Sequence, residues 1–191
     1  MENLKFLIAS LAFIIFFTST PVAAQVLRWG KCPNVTTVPN FNITEYFGEW
    51  REYGRYFFLF EEGARCSKAT YAPISSDEIS VVNTQLNWKN EVQSLEGTAT
   101  IVAPAKLLVK YNPDVFTYQA EAKYWVLATD YKNYAVVWSC MDLIGSHAEA
   151  LWILVRSAKP SEDVITKAKN AILAQGISLK GFKVTDQSNC N

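Results

Sequence analysis

Residues 124–135 read Tyr-Trp-Val-Leu-Ala-Thr-Asp-Tyr-Lys-Asn-Tyr-Ala and contain the pattern that decides the fold. A run rich in aromatic and aliphatic residues, 124–129, is followed by the polar segment 130–133 and by a second apolar run that begins at Tyr134. Apolar runs separated by Asp and Asn are typical of two antiparallel strands joined by a turn. This stretch therefore predicts a β-hairpin.

The same pattern extends on both sides of the hairpin, from Trp50 to about Arg156. Turn signals at residues 75–77, 87–90, 103–104, 112–114 and 130–133 divide this region. The candidate strands are 48–57, 66–73, 79–85, 94–102, 106–111, 115–119, 124–129, 134–141 and 148–157. Many short strands without an internal repeat or linker predict a single all-β domain, either a barrel or a sandwich.

One segment after the last strand has helical periodicity instead. Pro160-Ser161-Glu162-Asp163 resembles a helix start, and apolar residues recur at helical spacing until Gly176, namely Val164, Ile165, Ala168 and Ile172. This predicts one amphipathic helix. Its apolar stripe must be buried, most simply against the outside of the β domain.

The first 24 residues have the features of a secretory signal peptide. An apolar run from Phe6 to Phe17 is too short to span a bilayer, and Val22-Ala23-Ala24 provides the small residues that signal peptidase requires. We therefore expect cleavage before Gln25, a mature domain of residues 25–191 and an extracellular location. The alternative is an uncleaved membrane anchor.

Composition excludes several classes of function. Removing residues 1–24 takes one of 18 acidic and one of 18 basic residues, Glu2 and Lys5, so the net charge stays at zero and no nucleic-acid partner is expected. The remaining 167 residues (191 minus 24) fit one domain with a sizeable core.

The four cysteines, Cys32, Cys66, Cys140 and Cys190, all lie in the mature part. An even number in an exported chain predicts two disulfides, and the spacing alone allows three pairings. With a single histidine, His147, and no short Cys spacing, no metal site is expected. Two sequons predict glycosylation at Asn34 and Asn42.

Three short motifs occur in a fixed order: Gly48-Glu49-Trp50 opens the first long strand, Thr129-Asp130-Tyr131 lies between two later strands, and Arg156 ends the last. Together they resemble the three motifs of the lipocalin family. Residues 124–135 are similar to the branch that contains apolipoprotein D, bilin-binding protein, insecticyanin and Lazarillo. So are Gly30-Lys31-Cys32-Pro33, Trp152-Ile153-Leu154 and Val184-Thr185-Asp186-Gln187.

This resemblance covers essentially the whole mature chain, and it implies a fold. The expected fold is an eight-stranded antiparallel up-and-down barrel with one C-terminal α-helix packed outside. A large indole from the first strand plugs the closed end of such a barrel, and a guanidinium from the last strand stacks on it. The family gives these roles to Trp50 and Arg156. Six motif residues are expected to support the fold and not to touch ligand: Gly48, Trp50, Thr129, Asp130, Tyr131 and Arg156. The resemblance also implies the disulfides Cys32–Cys140 and Cys66–Cys190.

The resemblance also implies a ligand site inside the barrel. Because side chains alternate along a strand, Leu154, Trp152 and Ala150 share the inward face of Arg156. The expected ligand-binding residues are Asn83, Leu107, Val109, Tyr111, Tyr124, Val126, Val137, Trp152 and Leu154. Each of them can instead be plain core filling. No catalytic residue is expected.

Two further features have open interpretations. The segment from Tyr56 to Phe60 is unusually apolar, and at the barrel mouth it would act as a lid, a membrane-touching tip or a receptor-binding surface. His147 could pair with a pigment propionate, or it could be a solvated loop histidine.

The leading functional hypothesis is a secreted, non-enzymatic carrier of a fatty acid, sterol, retinoid or biliverdin, with a role in lipid metabolism or oxidative-stress protection. It requires no cofactor, although biliverdin or lipid can be bound, and a monomer or weak oligomer is expected. One alternative is a biliverdin-carrying pigment protein. Another is a lipid-modifying or peroxide-scavenging enzyme, which the assignment of all four cysteines to disulfides disfavours. Met141 could still reduce a peroxide stoichiometrically.

Overall fold

The computed structural model describes residues 26–56, 63–111 and 121–190. Within these ranges the chain forms ten strands and two helices. The strands are β1 (Val26–Trp29), β2 (Gly48–Tyr56), β3 (Arg65–Pro73), β4 (Glu78–Leu86), β5 (Val92–Ala103), β6 (Lys106–Tyr111), β7 (Ala122–Thr129), β8 (Tyr134–Asp142), β9 (Ser146–Val155) and β10 (Phe182–Val184). The helices are α1 (Ile43–Tyr46) and α2 (Glu162–Ala174).

Strands β2 to β9 form a closed eight-stranded antiparallel barrel. Each strand pairs with the next along the chain, and β9 returns to pair with β2, where Arg51 lies opposite Val155 and Arg55 opposite Trp152. The predicted barrel is therefore confirmed. Candidate strand 115–119 lies outside the described residues, and the other eight candidates supply the eight barrel strands. The sequence did not predict α1, β1 and β10, because three or four residues are too few to show a periodicity.

The barrel separates two apolar clusters. The inner cluster lines the interior of the barrel and includes Trp50, Tyr71 and Leu107. The outer cluster lies between the barrel wall and α2 and includes Trp138 and Ile172. The predicted outer position of the helix is thus confirmed, because its buried residues Ile165, Ala168 and Ile172 all belong to the outer cluster. The helix begins after Ser161, whose side chain accepts a hydrogen bond from the Val164 N–H.

A bulge in β2 changes which face its residues occupy. Trp50 belongs to the inner cluster and Tyr56 to the outer one, although an even number of positions separates them. The register shift between Glu52 and Gly54 in the pairing with β9 accounts for this change. The predicted lid or partner surface is consequently wrong for Tyr56, which is 1% exposed and packs on the outer wall of the barrel. Residues 57–60 of that segment lie outside the described residues.

Two disulfides attach the chain ends to the barrel. Cys32 is joined to Cys140 of β8, and Cys66 of β3 is joined to Cys190 near the C-terminus. This is the pairing that the family resemblance implies. The bonds span 108 and 124 positions of sequence, so each closes most of the domain into a loop. Among the described residues, neither helix is long and apolar enough to cross a membrane.

Candidate functional site

The closed end of the barrel is built around Trp50 and Arg156. Trp50 is fully buried, and the guanidinium carbon of Arg156 lies 3.7 Å from the centroid of its ring. The Trp50 indole N–H donates to the Tyr46 carbonyl at 2.8 Å, so α1 is attached to the same plug. The Arg156 guanidinium donates to five backbone carbonyls, those of residues 45, 46, 47, 49 and 131. Arg156 therefore joins α1, the start of β2 and the β7–β8 turn.

Gly48 allows this arrangement because of its backbone conformation. Its φ is +96°, a value that residues with side chains rarely adopt, and a Cβ atom would lie 3.4 Å from Arg156 Nη1. A residue with a side chain would therefore be strained at this position.

The β7–β8 turn closes the same end. The Asp130 carboxylate accepts hydrogen bonds from the backbone N–H groups of Lys132, Asn133 and Tyr134. Burial alone would raise the pKa of Asp130, but these bonds and one from the Asn133 side chain outweigh it, so the pKa lies below its ordinary value. Thr129 Oγ1 donates to the Tyr134 carbonyl and accepts from the Tyr131 N–H. The turn is therefore held by its own side chains.

The structure gathers all nine predicted ligand-binding residues inside the barrel. Five are buried in the inner cluster: Leu107, Val109, Val126, Val137 and Leu154. Three are partly buried and pack against it: Tyr111, Tyr124 and Trp152. The Asn83 side-chain amide joins them by donating to the Tyr111 hydroxyl at 2.9 Å. The result is an apolar lining with a few hydroxyl and amide groups, which is the usual chemistry of a small-molecule site.

Next to the plug lies a chain of three tyrosine hydroxyls, of which only Tyr124 was predicted. The Tyr124 oxygen lies 2.8 Å from the Tyr46 oxygen and 2.8 Å from the Tyr71 oxygen. Burial raises the pKa of all three phenols well above their ordinary value, so each keeps its proton. Alternation along β3 could have indicated Tyr71, because it shares the face of Ala69, whereas Tyr46 lies on a helix too short to predict.

A charged pair that the sequence analysis did not predict lies nearer the mouth. Glu52 and Arg55 are both buried, and they lie opposite the inward-facing residues Leu154 and Trp152. Arg55 Nη1 donates to Glu52 and, at 3.1 Å, to the hydroxyl of Thr185, which itself donates to Glu52. Burial raises the pKa of Glu52, an effect that Arg55 and Thr185 partly offset. Alternation from Trp50 already directs Glu52 inward, and the bulge in β2 brings Arg55 to the same side.

His147 does not lie in a solvated loop, so that prediction is wrong. It belongs to β9, is 5% exposed, and its Nδ1 lies 3.0 Å from the Gly30 carbonyl oxygen. Pairing with β1 buries it, because Arg28 lies opposite His147 in that register. Within the described parts of the chain, no group of three or more His, Cys, Asp or Glu residues is arranged to hold a metal ion.

A closed barrel with an apolar interior, a Trp–Arg plug and an external helix defines the lipocalin class. A family profile described as a lipocalin-like domain matches residues 41–187. The chain belongs to the lipocalin family.

Comparison with individual relatives shows which members of the family this chain is similar to. Apolipoprotein D of Cavia porcellus is 37% identical over 170 residues, which cover 87% of this chain and 87% of that protein. The bilin-binding protein of Pieris brassicae is 29% identical over 170 residues, which cover 86% and 87%. The solved structure of insecticyanin from the tobacco hornworm Manduca sexta is 24% identical, with a TM-score of 0.76 over 86% of this chain and 90% of that one. The insecticyanin likeness supports the fold alone.

Proposed function

We propose that this protein is a secreted carrier that binds one small hydrophobic molecule inside the barrel. The observation that carries the proposal is the inner lining, in which apolar side chains surround a few neutral hydrogen-bonding groups. Burial of apolar ligand surface there gains about 25 cal/mol per Å², while the hydroxyl and amide groups orient the ligand. The nine predicted residues, from Asn83 to Leu154, are proposed as the ligand contacts.

Two features of the structure support the proposed export. The two disulfides are stable in an oxidising compartment, and the side chains of both sequon residues, Asn34 and Asn42, are exposed. We therefore propose that residues 1–24 are removed as a signal peptide and that the mature domain acts outside the cell, without catalysis. We propose that its ligand is a fatty acid, a sterol, a retinoid or a bilin.

A titration with one probe from each class tests the proposal. The delipidated protein is titrated with cis-parinaric acid, dehydroergosterol, all-trans-retinol and biliverdin, and tryptophan fluorescence is recorded. We expect saturable binding of at least one probe with one site per chain. If none of the four probes shows saturable binding, the carrier proposal is wrong. A long-wavelength absorption band from biliverdin, both after titration and in the protein from its native secretion, would identify the pigment carrier.

Two tryptophan variants locate the bound probe. Trp152 packs against the inner cluster, whereas Trp88 is 76% exposed outside it. We expect the Trp152→Phe variant to lose much of the quenching and the matched Trp88→Phe variant to keep it. Equal loss in both variants would show that the probe binds somewhere else.

A further inference from the structure

The hydroxyls of Tyr46, Tyr124 and Tyr71 have three donor protons but form only two hydrogen bonds with one another. Each phenol carries one donor proton, and the chain contains two oxygen–oxygen contacts, both 2.8 Å long. Two protons fill these contacts. The third proton has no acceptor among the described residues, because no other hydrogen bond involves these three hydroxyls. A buried donor without an acceptor costs free energy, so this position is suited to an acceptor on a ligand.

The direction of the two hydrogen bonds does not change this count. Either oxygen of each contact can be the donor, so the spare proton can lie on any of the three hydroxyls. One proton is left over in every arrangement.

The cluster lies among the residues that we propose as ligand contacts. Tyr71 is 4% exposed and belongs to the inner cluster, on the same face of β3 as Ala69. Tyr124, which contacts both of the other hydroxyls, is only partly buried and is itself one of the proposed ligand contacts. Asn83 and Tyr111 lie on the neighbouring wall and already bond to each other.

We infer that this tyrosine cluster donates its spare hydrogen bond to an uncharged carbonyl oxygen at the leading end of the ligand, which enters the barrel with that end first. This inference rests on the proposed carrier function and specifies its ligand class: an apolar molecule with a ketone, aldehyde, ester or lactam oxygen at its deep end. The cluster offers neutral phenols and no free cation, and a buried carboxylate without a cation is costly. The Arg156 guanidinium is occupied by five backbone carbonyls.

Three matched probes test this inference. They are 2-acetylanthracene, 2-ethylanthracene and anthracene-2-carboxylate, which share one ring system and differ in the group that would reach the cluster. At neutral pH we expect the wild-type protein to bind the ketone more tightly than the carboxylate. We also expect the carbonyl stretch of the bound ketone to lie at a lower wavenumber than it does in an alkane solvent.

The decisive variant replaces all three tyrosines: Tyr46→Phe, Tyr71→Phe and Tyr124→Phe together. Every single replacement leaves at least one spare proton, whereas the triple variant removes all the donors and retains the rings. We expect about fivefold weaker binding of 2-acetylanthracene, an almost unchanged affinity for 2-ethylanthracene, and a carbonyl band at its alkane position. Tyr134→Phe, on the outer cluster, is the matched control and should change neither affinity.

The outcomes separate this inference from the proposed function. If the hydrocarbon binds and the triple variant leaves the ketone-to-hydrocarbon affinity ratio and the carbonyl band unchanged, the inference is wrong and the carrier proposal survives. Tighter binding of the carboxylate than of the ketone would also overturn the inference. If none of the three anthracene probes binds wild-type protein while one of the four titration probes does, the inference is wrong and the carrier proposal survives. If no probe of either set binds, both fail. Thermal unfolding of the triple variant shows whether it is folded. If it is not, the carbonyl band of the ketone bound to wild type decides alone.

Discussion

Replacing Arg156 by alanine should loosen the closed end of the barrel. The variant loses the stacking of the guanidinium on Trp50, 3.7 Å from the ring centroid, which is worth about 0.5–2 kcal/mol. It also removes the donors to five backbone carbonyls. Because Arg156 is partly exposed, water replaces some of these bonds, and we count roughly one to two as net losses at about 1–1.5 kcal/mol each. The expected decrease in unfolding free energy is therefore about 3 kcal/mol, or roughly 6–12 °C in Tm for a domain of this size.

Urea unfolding with the disulfides intact measures this change. Arg156→Lys keeps the charge but lacks the planar fork of donors, so it should recover less than half of the loss. Arg51→Ala is the matched control, because Arg51 forms only a partly exposed ion pair with Glu49, and such pairs contribute about 0–1 kcal/mol. If Arg156→Ala costs no more than Arg51→Ala, the reasoning about the closed end is refuted. Probe affinity should change less than twofold in any Arg156 variant that is folded, because this residue lies outside the lining.

Four further predictions concern stability and pH. Replacing Cys32 and Cys140 by serine should lower the unfolding free energy by about 4–5 kcal/mol, because the disulfide closes a loop of 108 positions. Denaturant unfolding measures this loss, and a loss below about 1 kcal/mol would contradict the prediction. Ser161→Ala removes the cap of α2 and should cost about 1 kcal/mol, seen as a lower Tm, whereas Ser157→Ala outside the helix should have little effect. Asp130→Asn should be less stable than wild type above the ordinary pKa of aspartate, and this difference should disappear as the pH falls through the lowered pKa of Asp130. A stability difference that is independent of pH would contradict the lowered pKa of Asp130. In an alkaline titration followed at 295 nm, Tyr46, Tyr71 and Tyr124 should stay protonated until the protein unfolds, and Tyr56, whose pKa burial raises to about 12, should titrate late. Because these pKa values are raised in the folded protein, its stability should fall as the pH rises above 10. Full ionisation of all nine tyrosines in folded protein near pH 10 would be inconsistent with the structure.

The barrel could be predicted because its signals are local and repeated. Each strand has its own apolar run, each turn its own Asp, Asn or Pro, and the motif residues Trp50 and Arg156 lie at the ends of the first and last long strands. Strand alternation from Arg156 also predicted the inward direction of Trp152 and Leu154. The short strands β1 and β10 form only because the barrel offers them an edge, so their sequences contain no comparable signal.

The polar groups of the interior were harder to predict. A bulge shifts the alternation in β2, and without it Tyr56 would share the inward face of Trp50. The partners of Glu52 and Arg55 include Thr185, 130 positions from Arg55 along the chain, and no spacing rule connects them. His147 is buried by a four-residue strand that the sequence did not indicate. The packing of distant segments, and not local periodicity, decides these positions.

Filling the barrel is the most direct test of the binding site. Val109 is 3% exposed in the inner cluster, and the variant Val109→Phe would occupy ligand space, whereas Ala72→Phe adds a ring of the same size at an exposed position of β3. A probe that saturates wild-type protein in the fluorescence titration should bind Val109→Phe at least tenfold more weakly and Ala72→Phe with unchanged affinity, both variants being folded. Equal affinity for the wild-type protein and the Val109→Phe variant would show that the interior of the barrel is not the binding site.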